Sequence, residues 1–316
     1  MPSRQGTFRI LRLSGIDVFL HWSWFLVAAY EIQGRSRHYS SILWNIAEYL
    51  ALFGIVLTHE FGHALACRQV GGQANQILLW PFGGVAYVSP PERPGATLWS
   101  IAAGPLVNVV LIPVLMGALF AARAVGLPAI LPDAYRLLRM VLYIDIGLLV
   151  FNILPIYPLD GGQILRSLLW FVLGRGRSLM TATVIGLLGV AALIAYAFYS
   201  QSLWTGLIAL YMLMNCWSGL QRALKLMKLD KLQRRQEYAC PYCGSHPPGG
   251  PIWICDRCTG KFDPFATGAL CPVCGVTHEN TMCVDCKHMS PIRAWAPRTA
   301  PVLGAQPAEA TSSSGA

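Results

Sequence analysis

The chain has 316 residues, 54% of them hydrophobic and only 12% charged, with a formal net charge of +9 and a mean hydropathy of +0.48. Ordinary soluble domains carry about 25% charged residues, so a wholly soluble globular protein is excluded, and the positive balance reads as membrane topology rather than as a nucleic-acid footprint. Of the ten cysteines, all but Cys67 and Cys216 lie between Cys240 and Cys286, which marks a separate domain.

Met1 to Ser14 is basic and polar, and no small-residue cleavage site follows the first apolar run, so no cleaved leader is expected. A membrane span needs about 20 mainly apolar residues. Such runs lie at 18–32, 42–67, 98–122, 138–159, 179–199 and 203–220, predicting a polytopic α-helical membrane protein with about six transmembrane helices. His21, beside Trp22 and Trp24, reads as an interfacial residue. The second run carries His59-Glu60-Phe61-Gly62-His63.

Residues 74–89 are apolar but too short to span, and Pro81 and Gly83-Gly84 break them. They read as a β-hairpin at membrane depth, shielded by protein or lining a wet cavity; a loop on the headgroups is the alternative. Small residues Ala102, Ala103 and Gly104 allow close helix approach, and Asn108, one turn on, can bond a neighbouring helix. Asp145 lies seven residues before Asn152, on about the same helical face. It reads as a structural group bonded to Asn152 or to a facing helix.

Basic residues set the orientation. Arg4, Arg9, Arg12, Arg68, Arg93, Arg166, Arg175, Arg177, Arg222 and Lys225 fall on one side, with Lys228, Lys231, Arg234 and Arg235. Arg35, Arg37, Arg123, Arg136 and Arg139 fall on the other. Both termini are therefore expected to be cytoplasmic, with the His-Glu-x-x-His segment toward that side. The expected organisation is a membrane domain at 1–225, a charged linker at 226–239 that begins as helix, a cysteine domain at 240–290 and a disordered Pro/Ala/Ser-rich tail at 291–316.

On a helix, positions i and i+4 share a face, so His59 and His63 can hold one zinc ion, with Glu60 beside them as general base toward water. Catalytic zinc usually takes three protein ligands and leaves the fourth position for water. The fourth run ends in Asn152-Ile153-Leu154-Pro155-Ile156-Tyr157-Pro158-Leu159-Asp160-Gly161-Gly162, where prolines break the helix and glycines allow close backbone approach. A carboxylate there needs a partner; Asp160 supplies the third ligand.

These segments together resemble the site-2 protease family of intramembrane zinc metalloproteases, over roughly residues 8–225. The likeness rests on His59-Glu60-x-x-His63, Asn152-x-x-Pro155, Leu159-Asp160-Gly161-Gly162, Pro81-Phe82-Gly83-Gly84 and Ala103-Gly104-Pro105. It implies that His59, His63 and Asp160 bind catalytic zinc and that Glu60 is the general base. It implies that Asn152 holds the substrate carbonyl or its oxyanion. The hairpin at Gly83-Gly84 would resemble the family's membrane-re-entrant region, which aligns an unwound substrate with the metal. The implied substrate is a transmembrane or membrane-anchored protein, cut near the cytoplasmic face to release a cytosolic fragment, often after a first cut by another protease. The implied location is the plasma membrane of a prokaryote.

Four Cys-x-x-Cys pairs follow: Cys240/Cys243, Cys255/Cys258, Cys271/Cys274 and Cys283/Cys286. Two such knuckles complete a tetrahedral four-cysteine zinc site, and zinc makes up for the small core of so short a domain. A small cytoplasmic double zinc ribbon is expected. Cys240, Cys243, Cys255 and Cys258 would hold one structural zinc, and Cys271, Cys274, Cys283 and Cys286 the other; cross-braced pairing is the alternative. His278 and His288 are not needed as ligands. Mixed charges, Arg257, Lys261 and Lys287 against Asp256, Asp263, Glu279 and Asp285, argue for a protein partner rather than nucleic acid.

The overall expectation is a zinc-dependent intramembrane endopeptidase with one catalytic and two structural zinc ions, embedded in the lipid bilayer. A scaffold with a relict site is opposed by the intact Glu60. A zinc transporter or sensor would string polar residues along several spans, and here they gather at one depth.

Overall fold

The structure is a computed structural model that describes residues 6–34, 39–80 and 83–295. Arg4, Arg35, Arg37, Pro81, Phe82 and residues 296–316 lie outside the described residues. The chain divides into two compact units, Met1–Asp230 and Lys231–Ala316.

The first unit opens with a hairpin, β1 (Thr7–Leu13) and β2 (Ile16–His21). Its two turn residues, Ser14 at φ 51° and Gly15 at φ 73°, both take the left-handed region that a tight two-residue hairpin requires. β3 (Gln73–Trp80) pairs parallel to β2 and antiparallel to β4 (Gly83–Ser89), giving the sheet order β1-β2-β3-β4. Ile16, Val18, Ile77 and Leu79 point to one face and are fully buried against Val56, Ala64 and Cys67 of helix α2 (Ile42–Gln69), the alternation a half-buried sheet dictates.

This sheet corrects one expected span. Residues 18–32 are not one helix: they begin in β2, and α1 (Trp24–Gly34) has 11 residues, about 17 Å at 1.5 Å per residue and too short for a 30 Å hydrocarbon core. The apolar run arises because β2 is a central strand, paired on both sides and packed on α2.

α2 (Ile42–Gln69) starts at Ser41, whose hydroxyl accepts the Leu43 N–H at 3.3 Å, an N-cap. α3 (Pro94–Ala124) starts with proline where its missing N–H costs nothing. The short α4 (Leu127–Ile130) leads to α5 (Pro132–Ile153), α6 (Asp160–Leu173), α7 (Arg175–Ser200) and α8 (Leu203–Asp230). α2, α3, α7 and α8 are long and apolar enough to cross a membrane. α5, which carries Asp133, Arg136, Arg139 and Asp145, is not among them. Large side chains on the long helices face outward, with Phe120 63%, Leu188 68% and Phe198 73% exposed, a surface suited to lipid.

The expected fourth span, 138–159, ends as helix at Ile153, and α6 begins at Asp160. The glycines that follow Asp160 make this break compact: a Cβ on Gly161 would strike the Ile153 carbonyl, and one on Gly162 would come 2.5 Å from the Tyr157 nitrogen.

The second unit contains hairpins β5 (Trp253–Ile254) with β6 (Lys261–Phe262) and β7 (Asn280–Met282) with β8 (Met289–Pro291). It is wider than 240–290 at both ends. Arg234 pairs with Asp285 at 2.6 Å and Arg235 with Asp263 at 2.7 Å. A short 3-10 turn, Ile292–Trp295, follows β8, and Trp295 is buried with Cys240, Phe265 and Cys283. Residues 234–239 and 291–295, expected as linker and tail, thus supply ion pairs and an aromatic core residue.

Candidate active site and metal centres

α2 presents His59, Glu60 and His63, all buried, where α3, β4 and the start of α6 meet it. His59 Nε2 lies 3.0 Å from Asp160 Oδ2, His63 Nε2 lies 3.3 Å from the same oxygen, and the two Nε2 atoms are 3.1 Å apart. Ligands at about 2.05 Å in a tetrahedral site stand about 3.3 Å from one another, so this donor set fits a single zinc ion. The expected three ligands are therefore brought together, two from one helix and the third from the first residue of another.

Neighbouring groups fix the ligands' orientation. Asn108 Oδ1 lies 2.6 Å from His59 Nδ1, and the Ser100 carbonyl lies 2.9 Å from His63 Nδ1. Each imidazole thus keeps its proton on Nδ1 and turns Nε2 toward the metal position, the usual second-shell arrangement. Asn108 in turn donates its amide to Asp145 Oδ1 at 2.6 Å. Of the two partners expected for Asp145, the facing helix is the one found. The chain Asp145–Asn108–His59 was not predicted as a unit, because the two apolar helices give no sequence signal of which polar residues meet.

Two glycines are carved to the site. A Cβ on Gly104 would collide with His63 Nε2 and come 2.8 Å from His59 Nε2. A Cβ on Gly84 would collide with the Glu60 carboxylate. Glu60 Oε2 accepts the Ala86 N–H at 2.8 Å. β4 ends the sheet, so that N–H marks its outer edge as the one facing Glu60. Asn152 lies half-buried in the last turn of α5, before the break that leads to Asp160.

The second unit holds two four-cysteine clusters, and they correct the expected pairing. Cys240 and Cys243 join Cys283 and Cys286; Cys255 and Cys258 join Cys271 and Cys274. The arrangement is nested, neither sequential nor cross-braced: the inner site sits inside the loop closed by the outer one. Cys240–Cys286 and Cys243–Cys283 sulfur distances are 3.7 and 3.8 Å, and Cys255–Cys274 and Cys258–Cys271 are both 3.6 Å. Disulfides at about 2.05 Å are ruled out, whereas four thiolates at 2.3 Å around zinc stand about 3.8 Å apart. Pairing was unreadable because all four knuckles share one spacing; β5–β6 flanks the second knuckle and β7–β8 the fourth, and these hairpins decide it.

The Cys255 thiol is held down to about 6, chiefly by the Cys258 backbone N–H and further by Arg257 N–H and His278, which favours the thiolate that zinc needs. His278 Nε2 lies 3.3 Å from Cys255 Sγ. It supports the inner cluster, a role that its sequence position did not reveal.

Fold and site together define a candidate metal centre of the two-histidine, one-carboxylate type in the helical unit, with two four-cysteine clusters of zinc-ribbon type in the second unit. A family model described as Peptidase family M50, the site-2 protease family, matches residues 47–133 and 129–196 of this unit. A zinc metalloprotease of Methanocaldococcus jannaschii is 29% identical over 207 residues, 65% of this chain and 58% of that one. A Synechocystis sp. relative is 27% identical over 241 residues, 69% of this chain and 61% of that one. The chain thus spans about three fifths of the length of these curated relatives. A solved site-2 protease from Methanocaldococcus jannaschii aligns with a TM-score of 0.49 and 26% identity over 68% of this chain and 95% of that chain.

Proposed function

We propose that the chain is a zinc-dependent intramembrane endopeptidase. It cleaves transmembrane or membrane-anchored proteins near the cytoplasmic face and releases a cytosolic fragment in regulated proteolysis. The observation that carries this reading is the convergence of His59, His63 and Asp160 on one point, with Glu60 beside it at the outer edge of β4. The M50 match and the relative named as a zinc metalloprotease support it.

When bound, zinc supplies a Lewis acid that acidifies water and polarises a carbonyl. Glu60 takes the proton of the attacking water and returns it to the leaving amine. His59 and His63, pinned through Nδ1, and Asp160 hold the metal. Asn152 is assigned the substrate carbonyl or its oxyanion, as the family resemblance implies. A transmembrane helix hides its peptide bonds behind internal hydrogen bonds. An unwound segment must therefore find other partners, and an edge strand offers them. β4 is that edge in this reading: the hairpin is re-entrant, Gly83 and Gly84 align the substrate, and Gly84 leaves the backbone bare beside Glu60.

The protein is multi-pass in a prokaryotic plasma membrane, both termini cytoplasmic, with one catalytic and two structural zinc ions. The ribbon recognises a protein partner. The test is a comparison of fragments released from membranes of cells expressing wild type or Glu60→Gln. Anchored proteins shortened only by wild type are expected; identical fragment sets contradict the reading.

A further inference from the structure

At the end of β4 lies a cavity of about 570 Å³ whose wall is strongly basic. Arg166 of α6, Arg175, and Arg222 and Lys225 of α8 line it against one acid, Glu92. Glu92 is engaged by Arg175 at 2.7 Å. Arg166, Arg222 and Lys225 form no ion pair with the described residues. The Arg166 guanidinium stacks over Trp170 at 5.7 Å, and its buried Nε has no hydrogen-bond acceptor. A stacked guanidinium with spare donors is suited to a carboxylate or phosphate oxygen, and like charges around one cavity favour an anion between them.

The rest of the wall indicates which anion. Val88 and Ser89, the last residues of β4, line it together with Tyr157 and Gln163, on either side of Asp160 in sequence. β4 therefore runs from Ala86, bonded to Glu60, to the cavity in three residues, roughly 10 Å of extended chain. A lipid headgroup has no use for that continuity. A polypeptide laid along the β4 edge would carry a side chain from the metal centre into the cavity.

We infer that this cavity is an acidic-residue subsite, which takes a carboxylate side chain of the substrate about three to four residues from the cleaved bond and holds it with Arg166 and Arg222, Lys225 standing at the rim. The inference rests on the proteolytic reading above and adds the substrate's charge to it.

Binding tests it apart from cleavage. The probe is a pair of fluorescein-labelled extended peptides of the same apolar sequence, one with paired glutamates and one with paired glutamines. Their affinity is measured for full-length Glu60→Gln protein in phosphatidylcholine nanodiscs. The acidic peptide is expected to bind about tenfold more tightly, as one charge-assisted contact provides. Arg166→Gln with Arg222→Gln should erase that preference, with catalytic zinc content as the check on folding. Lys225→Glu, on the exposed rim, should reduce it without touching the packed wall. Equal binding of the two peptides, or a preference that survives the double substitution, overturns the inference. Loss of the preference when phosphatidylglycerol replaces part of the lipid, in wild-type cavities only, would assign the cavity to lipid and overturn it as well. Absence of cleavage by the Glu60-containing protein would instead strike the proteolytic reading, and peptide binding would still judge the subsite.

Discussion

In the Met1–Asp230 unit, three candidate metal ligands come from two helices and face a buried glutamate and a strand edge. In the Lys231–Trp295 segment each cluster gathers four thiolates, held between short knuckles and hairpins. In the proposed reading the difference separates two uses of one metal. Three ligands leave a coordination position for chemistry; four thiolates close the shell and leave only a structural role. The two regions also differ in what supports them. The histidines sit in a scaffold of long helices and a sheet that has its own packed core, whereas the buried clusters around the cysteines contain the cysteines themselves.

The strongest way to break the comparison is to remove ligands from one region at a time. Cys255→Ser with Cys258→Ser should unfold the ribbon, because zinc supplies most of the folding energy of so small a unit. The catalytic zinc should stay, leaving two or fewer zinc equivalents by mass spectrometry with the long helices intact by circular dichroism. His63→Ala should do the reverse, abolishing cleavage while both ribbon zincs remain. If His63→Ala also released ribbon zinc, the two regions would not be independent.

A smaller change sharpens the same contrast. Gly104→Ala adds one methyl group, yet it would land against both imidazoles. It should lower catalytic zinc occupancy as strongly as loss of a ligand. Gly117→Ala in the same helix, where nothing lies within 4 Å, should be neutral. Gly84→Ala should separate metal from chemistry: zinc content is kept while turnover falls, because Glu60 is displaced. Smaller still is Asn108→Leu, which frees His59 Nδ1 from its acceptor. Zinc affinity should weaken about 10–100-fold, read by competition with a chelator, and Asp145→Asn should have a milder effect in the same direction.

What was legible in the sequence follows from how each feature is encoded. His59, Glu60 and His63 are readable because helical periodicity turns their spacing into a shared face, and Asp160 because a carboxylate beside a broken apolar helix demands a partner. Gly104 was read as a packing residue; its other reason is the pair of imidazoles it faces from across a helix boundary. Val18 to Leu20 looked like the start of a span because the apolar Val18, Phe19 and Leu20 of β2 run straight on toward the apolar α1. The cysteine clusters were evident, but their nesting was not, since identical knuckles carry no information about which hairpin folds over which. The Asp145–Asn108–His59 chain needed the helix packing before its members could be matched.

The most direct test of the central claim is the Glu60→Gln protein, purified full-length and assayed beside wild type for zinc content and for cleavage of a reconstituted membrane-anchored substrate. Glu60 accepts the Ala86 N–H and is not part of the His59–His63–Asp160 donor set, so zinc content should be unchanged while cleavage falls by about 10²–10⁴-fold, the loss expected of a general base. Undiminished cleavage with zinc retained would contradict the account.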